Sequence, residues 1–457
     1  MLTNWTLAQL QQPLQALQVE GATDGLIQAV CTDTRTLKAG DLFVALSGPN
    51  FNGNHFVTQA QQAGAVAAIV TELQPIALPQ LLVKDSRIAL GQLAKLHRQQ
   101  FSAPVVAITG SSGKTSVKEM LACILGQRAE VLATRGNLNN DIGVPLTLLE
   151  LRSSHQYAVI ELGASAPGEI AYTTALAQPD IAILNNAAAA HLEGFGSLQA
   201  VVEAKGEIFA GLKPDGVAVV NLDDANCGYW LDQLEGRKLR TFSLNSSLAD
   251  MFASDLETDE NGCCSFVLHS HTGQAEVRLQ VLGLHMVANA LAAAAAAEVL
   301  GLDLVQICQG LEAYRGVAGR LAMLDGLKGS RIIDDSYNAN PDSVKAAIRV
   351  LASLPGKRVL VLGNMAELGA DAANLHAELG RFALELQLDG VFTVGALAAH
   401  AAAAFTPQNP AAAKMFEDKE ALLAALLPTL DANTSVLIKG SRSAAMEQVV
   451  SSLINKG

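Results

Sequence analysis

Aromatic side chains are scarce in this sequence, 4% of 457 residues, although half of the chain is hydrophobic. A core built under that shortage rests on alanine, glycine and branched aliphatics, as in helices laid closely on sheets. Basic residues are also in deficit: 31 stand against 44 acidic ones, for a net charge of −13. That balance argues against nucleic acid or an anionic membrane as the main partner. An anionic small molecule is still compatible, provided the cations that bind it are concentrated locally. Cysteine forms no framework, because Cys31, Cys123, Cys227, Cys263, Cys264 and Cys308 are spread along a long chain. Such usage fits reduced thiols in the cytosol. The start, MLTNWTLAQLQQPLQ, has no basic residue and no apolar run, so no signal peptide is expected. The most apolar stretch, VLGLHMVANALAAAAAAEVL, is interrupted by His285, Asn289 and Glu298 and is rich in alanine. It reads as a buried helix and not as a membrane span. The expectation is a soluble cytoplasmic protein without membrane insertion.

The chain is too long for one core, and its patterning divides it into three blocks. Residues 1–100 carry the short strand-like runs DLFVAL, AVAAIV and LLVKD, then a helical pattern, ALGQLAKLHRQQ. FSAP follows as a linker. Residues 101–315 open on VVAIT and continue through YAVIE, IAILN and VAVVN. Short apolar runs separated by helical patterns signal a buried parallel sheet. Within this block CCSFVLHSHTGQAEVRLQV reads as a hairpin turning near Gly273. Residues 316–457 repeat the alternation with RIIDD, RVLVLG, GVFTVG and SVLIKG. Three α/β domains is the expected architecture. Segments bearing Pro or Gly near residues 98–104 and 315–320 are the expected hinges.

The most informative stretch is PVVAITGSSGKTSVKEML, residues 104–121. VVAIT has strand composition. After the loop, Val117, Met120, Leu121, Ile124 and Leu125 recur on one helical face. Gly110, Ser111, Ser112, Gly113, Lys114 and Thr115 therefore join a strand to a helix N-terminus. Free backbone N–H groups and the helix dipole collect phosphate oxygens there. The glycines permit close backbone approach, Lys114 reaches terminal phosphates, and the Thr115 hydroxyl suits Mg²⁺. The position five residues before Gly113 holds Ile108 and not glycine, so this is the shorter G-x-x-G-K-T form. A tight strand–helix turn with an exposed lysine is the plainer reading. Glu161, in AVIELG, falls at a strand end, where open parallel sheets gather ligands, and offers a metal the carboxylate the loop lacks. An ordinary strand-end acid facing water is the alternative. Guanine-reading NKxD and any LSGGQ-type segment are both missing, which favours ATP over GTP and disfavours a transporter ATPase.

The remaining motifs resemble the Mur ligases of bacterial peptidoglycan synthesis, essentially end to end. TGSSGKTSVKEML, from Thr109, looks like that family's ATP loop. GNLNNDIGVPLTLL, with Asn137, Asn139 and Asn140, is similar to the segment that follows it. ELGASAPGEI, AHLEGFGS and EAKGEIF look like its metal and substrate region, and GLHMVANALAAAAA like the helix start near the adenine. DDSYNANPDS, LGNMAELG and IKGSR look specific to the member that adds a dipeptide. The DNPR signature of the diaminopimelate-adding member is missing. The resemblance implies a nucleotide-sugar-binding α/β domain, a central P-loop ATPase domain with a parallel sheet, and a C-terminal Rossmann-like domain. It also implies a reaction in which ATP phosphorylates the terminal carboxylate of a UDP-N-acetylmuramoyl-tripeptide. The amine of D-alanyl-D-alanine then attacks the acyl phosphate, giving an amide and phosphate. Such chemistry needs no serine or cysteine nucleophile. It needs charge neutralisation and two substrates held in line. ATP and Mg²⁺ are the implied cofactors, and a monomer is expected.

Residue roles follow from the resemblance, each beside a blander reading. Glu161 and His191 would bind or orient Mg²⁺, while a histidine after NNAAAA also reads as a satisfied loop residue. Lys205, in EAKGEI, matches a lysine that is carbamylated in the family, which turns a cation into an anionic ligand. Otherwise it is a helix-surface lysine beside Glu203 and Glu207. Asn289 would lie near the adenine or simply pack at a helix start. Arg320 would reach ATP at the hinge, and Asp335 would hold the ribose. Tyr337, Asn338 and Asn340 would sit near the reaction centre, although NANP is also good turn chemistry. Lys439, Ser441 and Arg442 would meet the incoming dipeptide and its carboxylate. Thr32, Thr34 and Arg35 resemble a hydroxyl–Asp–hydroxyl–Arg motif for UDP, with threonines in place of serines, and Asn52 and His55 join them. Asn52 and Asn364 both stand where aspartate is expected. Cys263, Cys264, His269 and His271 suggest zinc, but adjacent cysteines on a hairpin point to opposite faces, so no zinc is expected. The alternatives are a sister or folylpolyglutamate-type ligase adding one amino acid, and, from another class, an ATP-gated binding module.

Overall fold

In the computed structural model, which describes residues 4–48, 51–189, 191–406 and 410–455, three large sheets follow one another along the chain. The first has five strands in the order Gln18–Glu20, Gln80–Leu82, Ala67–Val70, Asp41–Val44 and Ala29–Cys31. Every residue of Asp41–Val44 and Ala67–Val70 is buried, as a near-continuous apolar run requires. The edge strands Gln18–Glu20 and Ala29–Cys31 are short and half-exposed, with no apolar pattern to announce them.

The second sheet has nine strands. Across it lie Gly273–Leu282, Cys263–Ser270, Met251–Thr258, Lys238–Ser243, Val217–Asn221, Ile181–Leu184, Val105–Thr109, Tyr157–Glu161 and Val131–Ala133. From Met251–Thr258 onward the strands run parallel, and the expected hairpin supplies the antiparallel edge. Glu161 pairs with Ile108, and Leu184 with Thr109, so three neighbouring strands end at one edge. That edge is where the chain crosses from one side of Val105–Thr109 to the other, the usual ligand crevice of such sheets. Helix Lys114–Leu125 follows, and Val117, Met120, Leu121, Ile124 and Leu125 are all buried. They share a core with helix Leu284–Val299, whose alanines from Ala292 to Ala297 are buried too. Each such aliphatic side chain contributes about 1.5–3 kcal/mol, so the loop is anchored by its helix.

The third sheet orders Ala322–Asp325, Arg331–Asp335, Thr434–Lys439, Lys357–Gly363, Gly390–Val394 and Ala413–Phe416, parallel except for the first pair. One core cluster joins the first sheet, helix Ser86–Gln99 and a face of the central sheet. Arg98 is buried at this junction. Its Nε donates to the Ala177 carbonyl at 2.7 Å, and its two Nη groups donate to Phe101 at 2.8 Å and Gln178 at 2.9 Å. These bonds tie the start of the expected 98–104 hinge to the segment before the central sheet's strand Ile181–Leu184. The other expected hinge is a tight turn, in which Arg320 N–H donates to the Val317 carbonyl at 3.0 Å. Gly319, at φ 74°, comes so close to Tyr337 that an added Cβ would lie 3.2 Å from the tyrosine Cβ. Among the described residues, no helix is long and apolar enough to cross a membrane.

Candidate active site

The loop after Val105–Thr109 is held from below by two asparagines that end the neighbouring strand. Asn186 accepts from Ser112 N–H through Oδ1 at 2.9 Å and from Ser111 N–H through its carbonyl at 3.0 Å. Asn185 donates to the Ser112 carbonyl at 3.1 Å and to Asn289 Oδ1 at 3.0 Å. Asn289 is thus buried beneath the loop, and Gly113, at φ 77°, rests directly on it. Lys114 Nζ folds back onto the Gly110 carbonyl at 2.7 Å, and burial lowers its pKa. Thr109 points inward, donating to the Leu162 carbonyl at 2.8 Å, and the Ser111 hydroxyl donates to Ala188 at 3.1 Å.

Thr115 leaves the loop in the other direction. Its hydroxyl donates to Glu161 Oε2 at 3.0 Å, and Asn139 donates to Oε1 at 2.8 Å. The Glu161 side chain is buried, yet among the described residues its carboxylate forms no ion pair. A buried carboxylate held only by neutral donors fits a cation. No three His, Cys, Asp or Glu side chains among the described residues cluster as an all-protein metal cage. Neither Asn139 at Glu161 nor the Asn185–Asn186 pair under the loop was assigned these roles from sequence. Lys205 is buried against Phe195, 5.5 Å from its ring, and burial with nearby Lys114 lowers its amine to about 7.

The loop faces the third sheet across a cleft of about 480 Å³. On the loop side lie Ser111 to Thr115 and His191; on the other lie Arg320, Asn338, Asn340, Glu367, Ser441 and Arg442. Asn340 caps helix Pro341–Ser353, its Oδ1 accepting from Ser343 N–H at 2.8 Å. The Tyr337 ring meets two guanidinium groups, that of Arg320 at 4.2 Å and that of Arg442 at 5.9 Å. Asp335 and Lys439 are brought to each other: they form a buried ion pair, and Lys439 Nζ also donates to the Asn338 carbonyl at 2.9 Å. Asp335 Oδ1 accepts from Leu321 N–H at 3.2 Å, so both of its oxygens are engaged. Burial pushes the Asp335 carboxyl up and the Lys439 amine down. Ser441 donates to the Asn364 carbonyl at 2.8 Å, and Asn364 Oδ1 accepts from Ala398 N–H at 2.8 Å. The amide therefore does neutral structural work where a charge was expected.

A second cleft, of about 590 Å³, lies in the first sheet's unit, lined by Thr32, Thr34 and Arg35 and by Phe51 and Phe56. Arg35 forks onto Asp33, donating from Nε at 2.9 Å and from Nη2 at 2.6 Å, and this holds the Asp33 carboxyl at about 2. Asn52 turns inward to accept from Asn54 N–H at 3.0 Å, and His55 is exposed on the same short turn. Asn140 Oδ1 accepts from Gly143 N–H at 2.8 Å, at the start of helix Gly143–Leu149, while Asn137 is exposed.

A phosphate loop at the crossover edge of a parallel sheet, with a second α/β unit as the far wall of its cleft, is the build of an ATP-loop enzyme with more than one substrate. The chain belongs to the Mur ligase family. Residues 26–98 match the family's catalytic domain, residues 108–297 its middle domain, and residues 319–442 its glutamate ligase domain. Over 454 residues, 99% of both chains, it is 47% identical to the UDP-N-acetylmuramoyl-tripeptide–D-alanyl-D-alanine ligase of Escherichia coli strain K12. A crystal structure of MurF from Acinetobacter baumannii matches it with a TM-score of 0.92 at 39% identity, over 99% of each chain. The MurF ligase from Thermotoga maritima in complex with ADP matches with a TM-score of 0.84 at 30% identity, over 94% of this chain and 98% of that one.

Proposed function

We propose that this Mur ligase joins D-alanyl-D-alanine to UDP-N-acetylmuramoyl-tripeptide in cytoplasmic precursor synthesis, consuming ATP as a third substrate. The cleft carries the reading: the loop of Lys114 and Thr115 and the residues Arg320, Asn338, Asn340 and Arg442 line one open cleft. Full-length similarity to ligases of that name supports the choice of substrates. A carboxylate oxygen of the tripeptide attacks the terminal phosphorus of ATP, and ADP leaves. The dipeptide's free amine then attacks the acyl carbon, loses a proton, and expels inorganic phosphate as the amide forms.

The residues divide that work. Lys114 swings from the Gly110 carbonyl to the transferring phosphate, and the free N–H groups at the start of its helix hold phosphate oxygens. Thr115, Glu161, His191 and a carbamylated Lys205 are the ligands assigned to Mg²⁺, which when bound spreads the charge on the transferring oxygens. The amine of Lys205, held at about 7, is neutral in a substantial share of molecules near neutral pH and so open to carbon dioxide. Arg320 and Arg442 face the nucleotide and the dipeptide carboxylate, and the cleft of Thr32, Thr34 and Arg35 takes the UDP end. The test is phosphate release by the purified protein. Release that needs both UDP-tripeptide and D-alanyl-D-alanine supports the ligase; steady release with ATP alone would overturn it in favour of a nucleotide-gated module.

A further inference from the structure

We infer that Glu367 is a positioning residue, reaching from the third block to hold the His191 imidazole so that Nε2 is the nitrogen left for the metal. The inference rests on reading His191 as a magnesium ligand. It starts from a contact between His191 Nδ1 and Glu367 Oε2, residues 176 apart in sequence. A second tie joins the same two segments, since Glu193 N–H donates to the Glu367 carbonyl at 3.3 Å. His191 Nε2 has no partner among the described residues. Both residues line the cleft that holds Lys114 and Thr115.

The backbone carries the stronger argument. His191 and Glu367 both adopt left-handed conformations, with φ of 54° and 61°, and neither is glycine. Such residues persist where the surroundings over-determine them, and they gather at functional sites. Stability does not account for the pair, because the side chains are 31% and 53% exposed, and exposed ion pairs contribute little. Glu367 is also presented firmly. Met365 N–H donates to buried His376 Nε2 at 2.9 Å, and Leu368 is buried on the other side. A ring N–H given to a carboxylate fixes the tautomer and makes the opposite nitrogen a better ligand. Because the carboxylate comes from the third block, the metal site becomes complete only when that block faces the loop.

The test is a double-mutant cycle on the full chain, read as Mn²⁺ affinity by electron paramagnetic resonance with a non-hydrolysable ATP analogue bound. Glu367→Ala and His191→Ala should each weaken Mn²⁺ by about 10-fold or more, and the double variant no further than His191→Ala alone. Thermal unfolding without metal should be unchanged, and Glu367→Gln repeats the cycle with a side chain of the same shape. Unaltered Mn²⁺ affinity in the Glu367 variants overturns the inference. Losses that multiply in the double variant overturn it as well, since Glu367 would then act elsewhere. If His191→Ala itself leaves Mn²⁺ affinity intact, the reading of His191 fails first and takes this one with it.

Discussion

The Thr115 hydroxyl donates to Glu161 Oε2 at 3.0 Å, although Thr115 opens a helix and Glu161 ends a strand, 46 residues apart. Parallel pairing of Tyr157–Glu161 with Val105–Thr109 makes the meeting possible, and Asn139 fixes the other oxygen at 2.8 Å. Burial of a carboxylate among neutral donors is costly until a cation arrives. Glu161→Gln should therefore unfold at an equal or higher temperature than the parent while kcat falls about 10²–10³-fold. Calorimetry and steady-state assays with Mg²⁺ check both halves; a less stable but active variant would contradict the assignment.

Gly113 touches the two asparagines below the loop. A Cβ there would lie 2.4 Å from both Asn185 Nδ2 and Asn289 Oδ1, and φ is 77°. Gly113→Ala is expected to weaken binding of an ATP analogue by at least about 10-fold, from backbone strain of roughly 1–2 kcal/mol plus the clash. Titration calorimetry measures the loss.

Tyr337 holds Arg320 and Arg442 on its ring. Cation–π contacts of this kind contribute about 0.5–2 kcal/mol. Tyr337→Phe should keep near-parental KM values, because the ring faces are retained. Tyr337→Leu should raise KM for ATP and for D-alanyl-D-alanine together by roughly 3–30-fold. A rise for only one substrate would separate the two arginines.

The buried pair of Asp335 and Lys439 joins two neighbouring strands of the third sheet. Removing one partner strands the other charge, so Asp335→Ala should destabilise the protein by about 3–5 kcal/mol. Chemical denaturation followed at the third block reads this out. A loss of nucleotide affinity without a loss of stability would instead favour the ribose role.

Much of this architecture was legible in the residues. The apolar runs from VVAIT to SVLIKG became strands because buried parallel strands need continuous Val, Ile and Leu, and the loop's helix was marked by its buried face. Other elements were silent. Lys238–Ser243 and Met251–Thr258 interrupt their apolar residues with charged and hydroxyl side chains, and the latter bends at Asp255, with φ 50°. At the site, a motif names residues but not what they lean on. The sequence offered Asn289 for adenine and Asp335 for ribose, whereas packing presses Asn289 under Gly113 and ties Asp335 to Lys439. The contact between His191 and Glu367 has no local signal at all, since it joins segments of different sheets.

Lys205 links pH to both stability and chemistry. Burial lowers its amine from 10.5 to about 7. The unfolded chain keeps that proton up to about 10.5, while the folded chain releases it near 7. Folded-state stability from this group therefore rises with pH across that window and is least below it. Lys205→Met should be more stable than the parent at pH 7, with the gap closing at higher pH. With ¹³C-labelled carbon dioxide, a carbamate resonance should appear in the parent as pH rises through about 7 and be missing from Lys205→Met.

The most direct measurement follows an oxygen atom. Turnover with UDP-N-acetylmuramoyl-tripeptide carrying ¹⁸O in its terminal carboxylate should place one labelled oxygen in the released inorganic phosphate, because that carboxylate attacks phosphorus before the amine displaces phosphate. Phosphate with no label, alongside normal amide product, would contradict the acyl-phosphate route on which the roles of Lys114, Thr115 and Glu161 depend.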